Sequence, residues 1–282
     1  MANHINSHAQ NPGDSLPGSN VDDSSDITPV NVDDSQSQGN DTVSGGQAND
    51  TLVAGSGNDS IDGGSGDDNI HGGGGLDTLI GGSGNDTITA GTGNSKEDGG
   101  VGNDSLVGGA GSDTLLGGAG NDTITAGTGN TSEAGGDGND SLTGGLGSDT
   151  LSGGAGNDTI TAGTGNTKED GGAGQDSLSG GTGNDTLAGG IGNDTLTGGA
   201  GHDVFVMGAK GGKDVITDFA VSGNSGDKID IHGAGMHVAN FHALILDFSQ
   251  HGDNAVLNLG GGNSLTLDHV NMHTLTVHDF VL

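Results

Sequence analysis

The 282-residue sequence has no cysteine, no tryptophan, no tyrosine and no arginine, and only five lysines, five phenylalanines and three prolines. Without cysteine there is no disulfide framework and no thiolate metal site, and the redox compartment cannot be read from thiol usage. With so few aromatic residues an ordinary packed core is excluded as the main source of stability. Apolar runs are short: none approaches the roughly 18–20 residues of a membrane-spanning helix. Positive charge is scarce while 38 residues are acidic, for a net charge of −33. Such a chain repels nucleic acid and anionic lipid surfaces, and cations are its natural counterpart. The N-terminal "MANHINSHAQ" offers neither a basic n-region nor an apolar h-region, so no Sec-type signal peptide is expected from it.

What the chain has instead is glycine, 64 residues of it, and aspartate, which makes up 35 of the 38 acids. Ordering so much glycine is entropically expensive, so a repeated source of stability is needed. The glycines are periodic. Read in nines from Gly45, the sequence gives 18 consecutive units ending at Val206, of the form G-G-x-G-x-D-x-U-x with U a large aliphatic or Phe. Position two is Gly in all 18 units, position four in 17, and position six is Asp in 15, the same 15 that carry Leu, Ile or Phe at position eight. An in-frame half unit, "QGNDTVS" (38–44), precedes them with Asp41 and Val43 in phase. A flexible low-complexity linker has no reason to hold Asp and Leu/Ile in register over this length.

The chemistry of one unit follows from its residue types. Glycines at positions one, two and four permit positive φ and close backbone approach. Carbonyl oxygens of such a loop can then turn toward a cation, and Asp at position six adds a charged hard ligand of the kind that suits Ca²⁺. A short strand follows, with its middle side chain on one face and its neighbours on the other. Two units make an 18-residue coil with a strand on each side and the position-eight residues meeting between them.

This nonapeptide resembles that of the RTX (repeats-in-toxin, hemolysin-type calcium-binding) family of secreted proteins. The resemblance implies an all-β fold, a parallel β-roll, with calcium held between same-side loops of successive coils. It implies metal ligation by Asp50, Asp59, Asp68, Asp77, Asp86, Asp104, Asp113, Asp122, Asp140, Asp149, Asp158, Asp176, Asp185, Asp194 and Asp203. The expected organisation is a disordered polar tail over 1–35, the roll over 36–206, and a C-terminal β cap over 207–282. In the cap, "ALILDF" (243–248), "NAVLNL" (254–259) and "SLTLDHV" (264–270) read as antiparallel strands joined at "HGDN" and "GGGN". The blocks of 203–233 resemble the segment that closes the roll in secreted RTX proteases. The final Asp279-Phe280-Val281-Leu282 resembles the C-terminal signal read by type I secretion machinery, which implies an extracellular destination.

No catalytic motif accompanies the repeat. Its three glutamates, Glu97, Glu133 and Glu169, follow no His, so H-E-x-x-H is missing. No G-x-S-x-G elbow and no P-loop is present either. The recurring G-x-G-x-x-G spacing is a by-product of the nonapeptide. Seven of the 11 histidines lie between His232 and His278 at irregular spacings, which reads as exposed cap residues rather than a zinc or copper site. The expectation is therefore a non-enzymatic, secreted calcium-binding protein with an adhesive or surface-interacting role. Its extracellular target would be a cell surface, polysaccharide or membrane. One alternative is a host-membrane role, since the layout is similar to that of secreted rhizobial nodulation proteins. Another is ice binding, since "GTGN" at 91, 127 and 163 resembles an ice-contacting RTX turn, although no continuous rank of Thr forms.

Three units break the rule at 36-residue intervals. Ser95, Thr131 and Thr167 replace the position-six Asp, and Glu97, Glu133 and Glu169 replace the aliphatic. An unpaired carboxylate among Leu and Ile is costly, so these glutamates are expected to face solvent from bulged or lost strands. One side of the roll, from Asp50 to Asp194 in steps of 18, would then hold an unbroken calcium file and the other a gapped one.

Overall fold

A computed structural model describes residues 3–5, 20–22, 30–221, 226–235 and 241–282. It comprises two compact units, Met1–Ser141 and Leu142–Leu282. The remainder of the expected polar tail, 1–2, 6–19 and 23–29, lies outside the described residues.

The first unit is a parallel β-solenoid. One sheet stacks Val30–Ser37, Thr51–Ser56, Asn69–Gly74, Thr87–Thr92, Ser105–Ala110 and Thr123–Gly127 in that order. The other stacks Thr42–Gly46, Ser60–Ser65, Thr78–Ser83, Lys96–Val101, Thr114–Ala119 and Ser132–Asp137. Consecutive strands within a sheet are two nonapeptides apart, so each coil contributes one strand to each sheet. Register is set by the position-eight residues: Leu52 pairs with Ile70, Ile70 with Ile88, Ile88 with Leu106, and Leu106 with Ile124. All five are fully buried. A one-residue slip would turn the whole inward row to solvent, so the pairing is strongly specified.

The strands are longer than the short segment expected after each loop. Most have six, taking in positions seven to nine of one unit and one to three of the next, as in Thr87–Thr92. Within them positions eight and one face inward. Positive φ occurs at positions two and four, as at Gly82 (110°) and Gly84 (130°), and a Cβ on either would overlap the Gly64 or Gly66 carbonyl oxygen one coil below. Position one does not need positive φ, which is why Ala54, Ala90 and Ala126 are tolerated there.

Order begins earlier than the period indicates. Val30–Ser37 pairs in parallel with Thr51–Ser56, and Val32 and Asp34 are buried, so residues 30–35 belong to the solenoid and not to a tail.

The second unit repeats the arrangement. Thr150–Ala155, Lys168–Ala173, Thr186–Ile191, Val204–Val206, Lys228–Asp230 and Phe280–Val281 form one sheet. Thr159–Thr164, Ser177–Ser179, Thr195–Thr197 and Lys213–Ile216 lie in the other, which continues into Asn263–Leu267 and then the antiparallel Asn254–Gly260 and Phe248–His251. Two of the three expected cap strands are thus present, the one at 254–259 in full and the one at 264–270 only as far as Leu267. "ALILDF" is instead helical, Phe241–Leu244 followed by a 3-10 turn Ile245–Asp247. Its buried residues, Leu244 and Phe248, are four apart while Leu246 is exposed, a helical spacing that the short apolar run concealed.

The C-terminal motif is built into this unit. Phe280 pairs with Ile229 and is buried against Phe241 and Phe248. Asp279 is fully buried, and its Oδ2 accepts hydrogen bonds from the Thr276 amide and hydroxyl.

Candidate metal centre

In 15 of the 18 units position six is the inward place that carries charge. Its Asp side chain sits at the bend between loop and strand, and every one of the 15 expected ligands is buried. Along each run the aspartate side chain is held by the backbone of the coil below. In the first unit the Asp50 amide donates to Asp68 Oδ1 (2.8 Å), Asp68 to Asp86 (2.7 Å), Asp86 to Asp104 (2.8 Å), Asp104 to Asp122 (2.8 Å) and Asp122 to Asp140 (2.8 Å). In the second the Asp158 amide donates to Asp176 and the Asp176 amide to Asp194. On the opposite side Asp41, Asp59 and Asp77 form one such run, and Asp185 and Asp203 another.

One carboxylate oxygen is therefore fixed by the backbone, and the other is left over. Oδ2 of Asp59, Asp68, Asp77, Asp86, Asp104, Asp113, Asp122, Asp176, Asp185, Asp194 and Asp203 is buried without a hydrogen-bond partner. A buried carboxylate oxygen in that state is strongly unfavourable unless something positive meets it.

A backbone carbonyl oxygen of the next coil lies close to it. A Cβ built on Gly99 would lie 2.5 Å from Asp104 Oδ2 and 2.6 Å from the Gly117 carbonyl oxygen of the next coil. Gly171 repeats this with Asp176 Oδ2 and the Gly189 carbonyl, both at 2.6 Å. A side chain at position one would collide with both oxygens, so Gly lets the carboxylate and the carbonyl of the next coil approach each other. Carboxylate and carbonyl oxygens together are the hard ligands that Ca²⁺ takes. Among the described residues no three His, Cys, Asp or Glu side chains gather at one place. A cation here would thus draw on carbonyl oxygens as well as on carboxylates, which hard Ca²⁺ accepts and softer metals do not.

The electrostatics agree. Burial pushes Asp68 up to about 7, opposed by the Asp50 amide and reinforced by the charges of Asp86 and Asp50. Burial likewise raises Asp59, Asp104, Asp176 and Asp185 to about 6, each partly offset by the amide that holds its Oδ1. These groups resist ionisation unless a cation compensates them.

The row of aspartates extends past the repeat. The Asp194 amide donates to Asp214 Oδ1 (3.1 Å) and the Asp203 amide to Asp227 Oδ1 (3.0 Å). Spacings of 20 and 24 residues hid both from a nine-residue frame. Asp227 ends its row, because its second oxygen accepts from the Ala220 amide (2.8 Å).

The three deviant units contradict one expectation. Glu97, Glu133 and Glu169 are buried, at 0%, 2% and 0% exposure, in full-length strands that are neither bulged nor lost. Glu97 pairs between Leu79 and Leu115 and stays in register. Cross-strand pairing of six residues fixes which face position eight occupies, and that outweighs the local preference of one acid for water. Burial raises Glu97 to about 8, with the Asp113 charge adding to the effect. Glu169 is also raised to about 8 by burial, then by Asp185 and Asp203, with the Ser179 amide acting the other way.

Comparison with protein families matches the RTX calcium-binding nonapeptide repeat (4 copies) at residues 36–70, 62–96, 98–132, 134–168 and 170–205. Comparison with curated proteins gives no match. Among solved structures, the extracellular lipase LipA of Serratia marcescens is 21% identical with a TM-score of 0.39, over 74% of this chain and 40% of the lipase. The AlgE6R3 subunit of the Azotobacter vinelandii mannuronan C5-epimerase is 28% identical with a TM-score of 0.36, over 44% of this chain and 77% of the subunit.

Proposed function

The chain belongs to the family of RTX calcium-binding nonapeptide repeats, and from that premise we propose that it is a secreted, non-catalytic β-roll that calcium folds outside the cell for attachment to a surface. The observation that carries this reading is the regular series of buried Asp oxygens left without a partner close to backbone carbonyl oxygens of the next coil. The 15 position-six aspartates are its calcium ligands, and Asp214 extends the series. Bound calcium supplies positive charge to the interior and couples one loop to the next. The chain's own residues supply the loop shape, through Gly at positions two and four, and the inward row of Leu and Ile that the loops hold together.

The burial of Asp279 and Phe280 bears on export. Type I machinery would meet this C-terminal motif in an unfolded chain, since folding withdraws it into the cap. Low calcium inside the cell and higher calcium outside would set that order of events.

The adhesive role is tested with purified full-length protein mixed with cells or insoluble polysaccharide beads in millimolar calcium. Retention in calcium and release by chelator is the expected result. Retention that chelator does not alter, or none in calcium, would contradict it. Cation conductance in planar bilayers or thermal hysteresis without retention would replace it with a membrane or an ice-binding role.

A further inference from the structure

The 18 nonapeptides share a constancy that neither position six nor position eight has alone. Each carries one inward carboxyl, an Asp at position six in 15 units and a Glu at position eight in three. Loss of the Asp and gain of the Glu always coincide.

The two positions serve the same space. Leu79, at position eight, ends with Cδ1 3.2 Å from the point where a Cβ on Gly72, at position one of the same unit, would lie. That point is also 2.8 Å from Asp77 Oδ2 and 3.0 Å from the Ala90 carbonyl oxygen. The carboxyl carbon of a glutamate is as many bonds from its backbone as leucine Cδ1. A carboxylate at position eight therefore reaches, from the core side, the space that a position-six carboxylate lines from the loop side.

The deviant units are also altered at position one, where Ala90, Ala126 and Ala162 stand in place of Gly. A methyl there crowds the Asp oxygen of its own unit, as the close approach of Asp86 Oδ2 to a Cβ on Gly81 shows. Of the four units led by Ala, only the one beginning at Ala54 keeps its Asp. The shorter Ser95, Thr131 and Thr167 do not reach as far and relieve that crowding. Ser95 Oγ and Thr167 Oγ1 are buried with no hydrogen bond, and neither oxygen of Glu97 has one. Glu97 pairs with Leu115, two residues beyond Asp113, whose Oδ2 is unpartnered as well and whose Oδ1 holds the Ser95 amide (2.7 Å). A cation among them would meet the buried oxygens that these two acids and the hydroxyl leave over.

We propose that Glu97, Glu133 and Glu169 are calcium ligands that enter the loop site from the core, each replacing the aspartate missing from position six of its own unit. The row of Asp77, Ser95 and Asp113 is then a metal-binding row, not a gap. The proposal rests on the calcium reading of the repeat and adds to it a second kind of ligand.

The test counts ions on three full-length proteins dialysed against the same free calcium: the natural chain, a triple Glu97→Gln, Glu133→Gln, Glu169→Gln variant, and a triple variant with Leu at these positions. The Leu variant restores the majority residue and decides the matter if the Gln variant fails to fold. Both are expected to keep the calcium-induced β signal and to lose about one ion per glutamate replaced. An unchanged ion count overturns this proposal alone. A natural chain that binds no calcium overturns the repeat reading with it, which separates the two failures. Infrared difference spectra give an independent readout. A protonated-acid carbonyl band in the calcium-loaded natural chain, absent from the Leu variant, would show buried neutral acids and refute ligation.

Discussion

Stripped of divalent cations at pH 7, the protein should lose its β-sheet circular dichroism, and calcium at roughly 10⁻⁴–10⁻³ M, the range of extracellular modules, should restore it. The reason is electrostatic. Glu97 must be held either protonated or charged in the core, and its shift from 4.5 to about 8 makes that cost about 3 kcal/mol at pH 7. Glu169 carries a similar cost. Asp59, Asp104, Asp176 and Asp185, each raised from 3.8 to about 6, add a few kcal/mol each by the same arithmetic. Even discounted for screening, the total rivals the 5–15 kcal/mol that a folded domain has to spare. Hydrophobic burial cannot offset it, because the interior of the repeats holds at most one large aliphatic side chain per strand and no large aromatic cluster. A full β signal in excess chelator at neutral pH would contradict this account.

Acidifying the chelated protein from pH 7.5 to about 5 should bring back part of that β signal. Protons neutralise the same oxygens that calcium does. The direction follows from linkage: groups with folded pKa values above their unfolded ones favour the fold at low pH, and that contribution is lost as pH rises through the folded values. Here the window runs from about 4, the ordinary carboxylate range, to about 8, with Asp68 and Asp214 at about 7 in its upper half. Calcium-loaded protein should show little change over the same range until protons displace the metal. The measurement is circular dichroism against pH with light scattering recorded alongside, since the chain nears its isoelectric point of about 4.1. A chelated protein that stays without β signal down to pH 5 would mean that carboxylate repulsion is not what unfolds it.

Most of the architecture is legible because one period writes it. Asp at six and Leu or Ile at eight, in fixed phase from Gly45 to Val206, specify two inward rows and a coil of 18 residues, and Leu52, Ile70 and Ile88 lie in register as that spacing requires. Legibility fails where the period does. Asp34, Asp214 and Asp227 are buried beside the same rows, but the intervening segments have other lengths and hide their phase. Residues 241–248 pack by a four-residue spacing inside a run too short to display it. The glutamates were misjudged for a different reason. A single buried acid is unfavourable by itself, but its orientation is dictated by pairing with Leu79 and Leu115, and its neighbours are other oxygens as well as aliphatic groups.

The central claim is that the buried aspartate oxygens between successive loops are a cation-binding row. Anomalous diffraction from crystals grown in calcium and exchanged with a lanthanide locates the ions without reference to any stability measurement. The account predicts peaks within ligand distance of Asp68, Asp86, Asp104 and Asp122 Oδ2, one coil apart. Peaks confined to solvent-facing acids such as Asp62, Asp67 and Asp98, with the loop spaces empty, would contradict it.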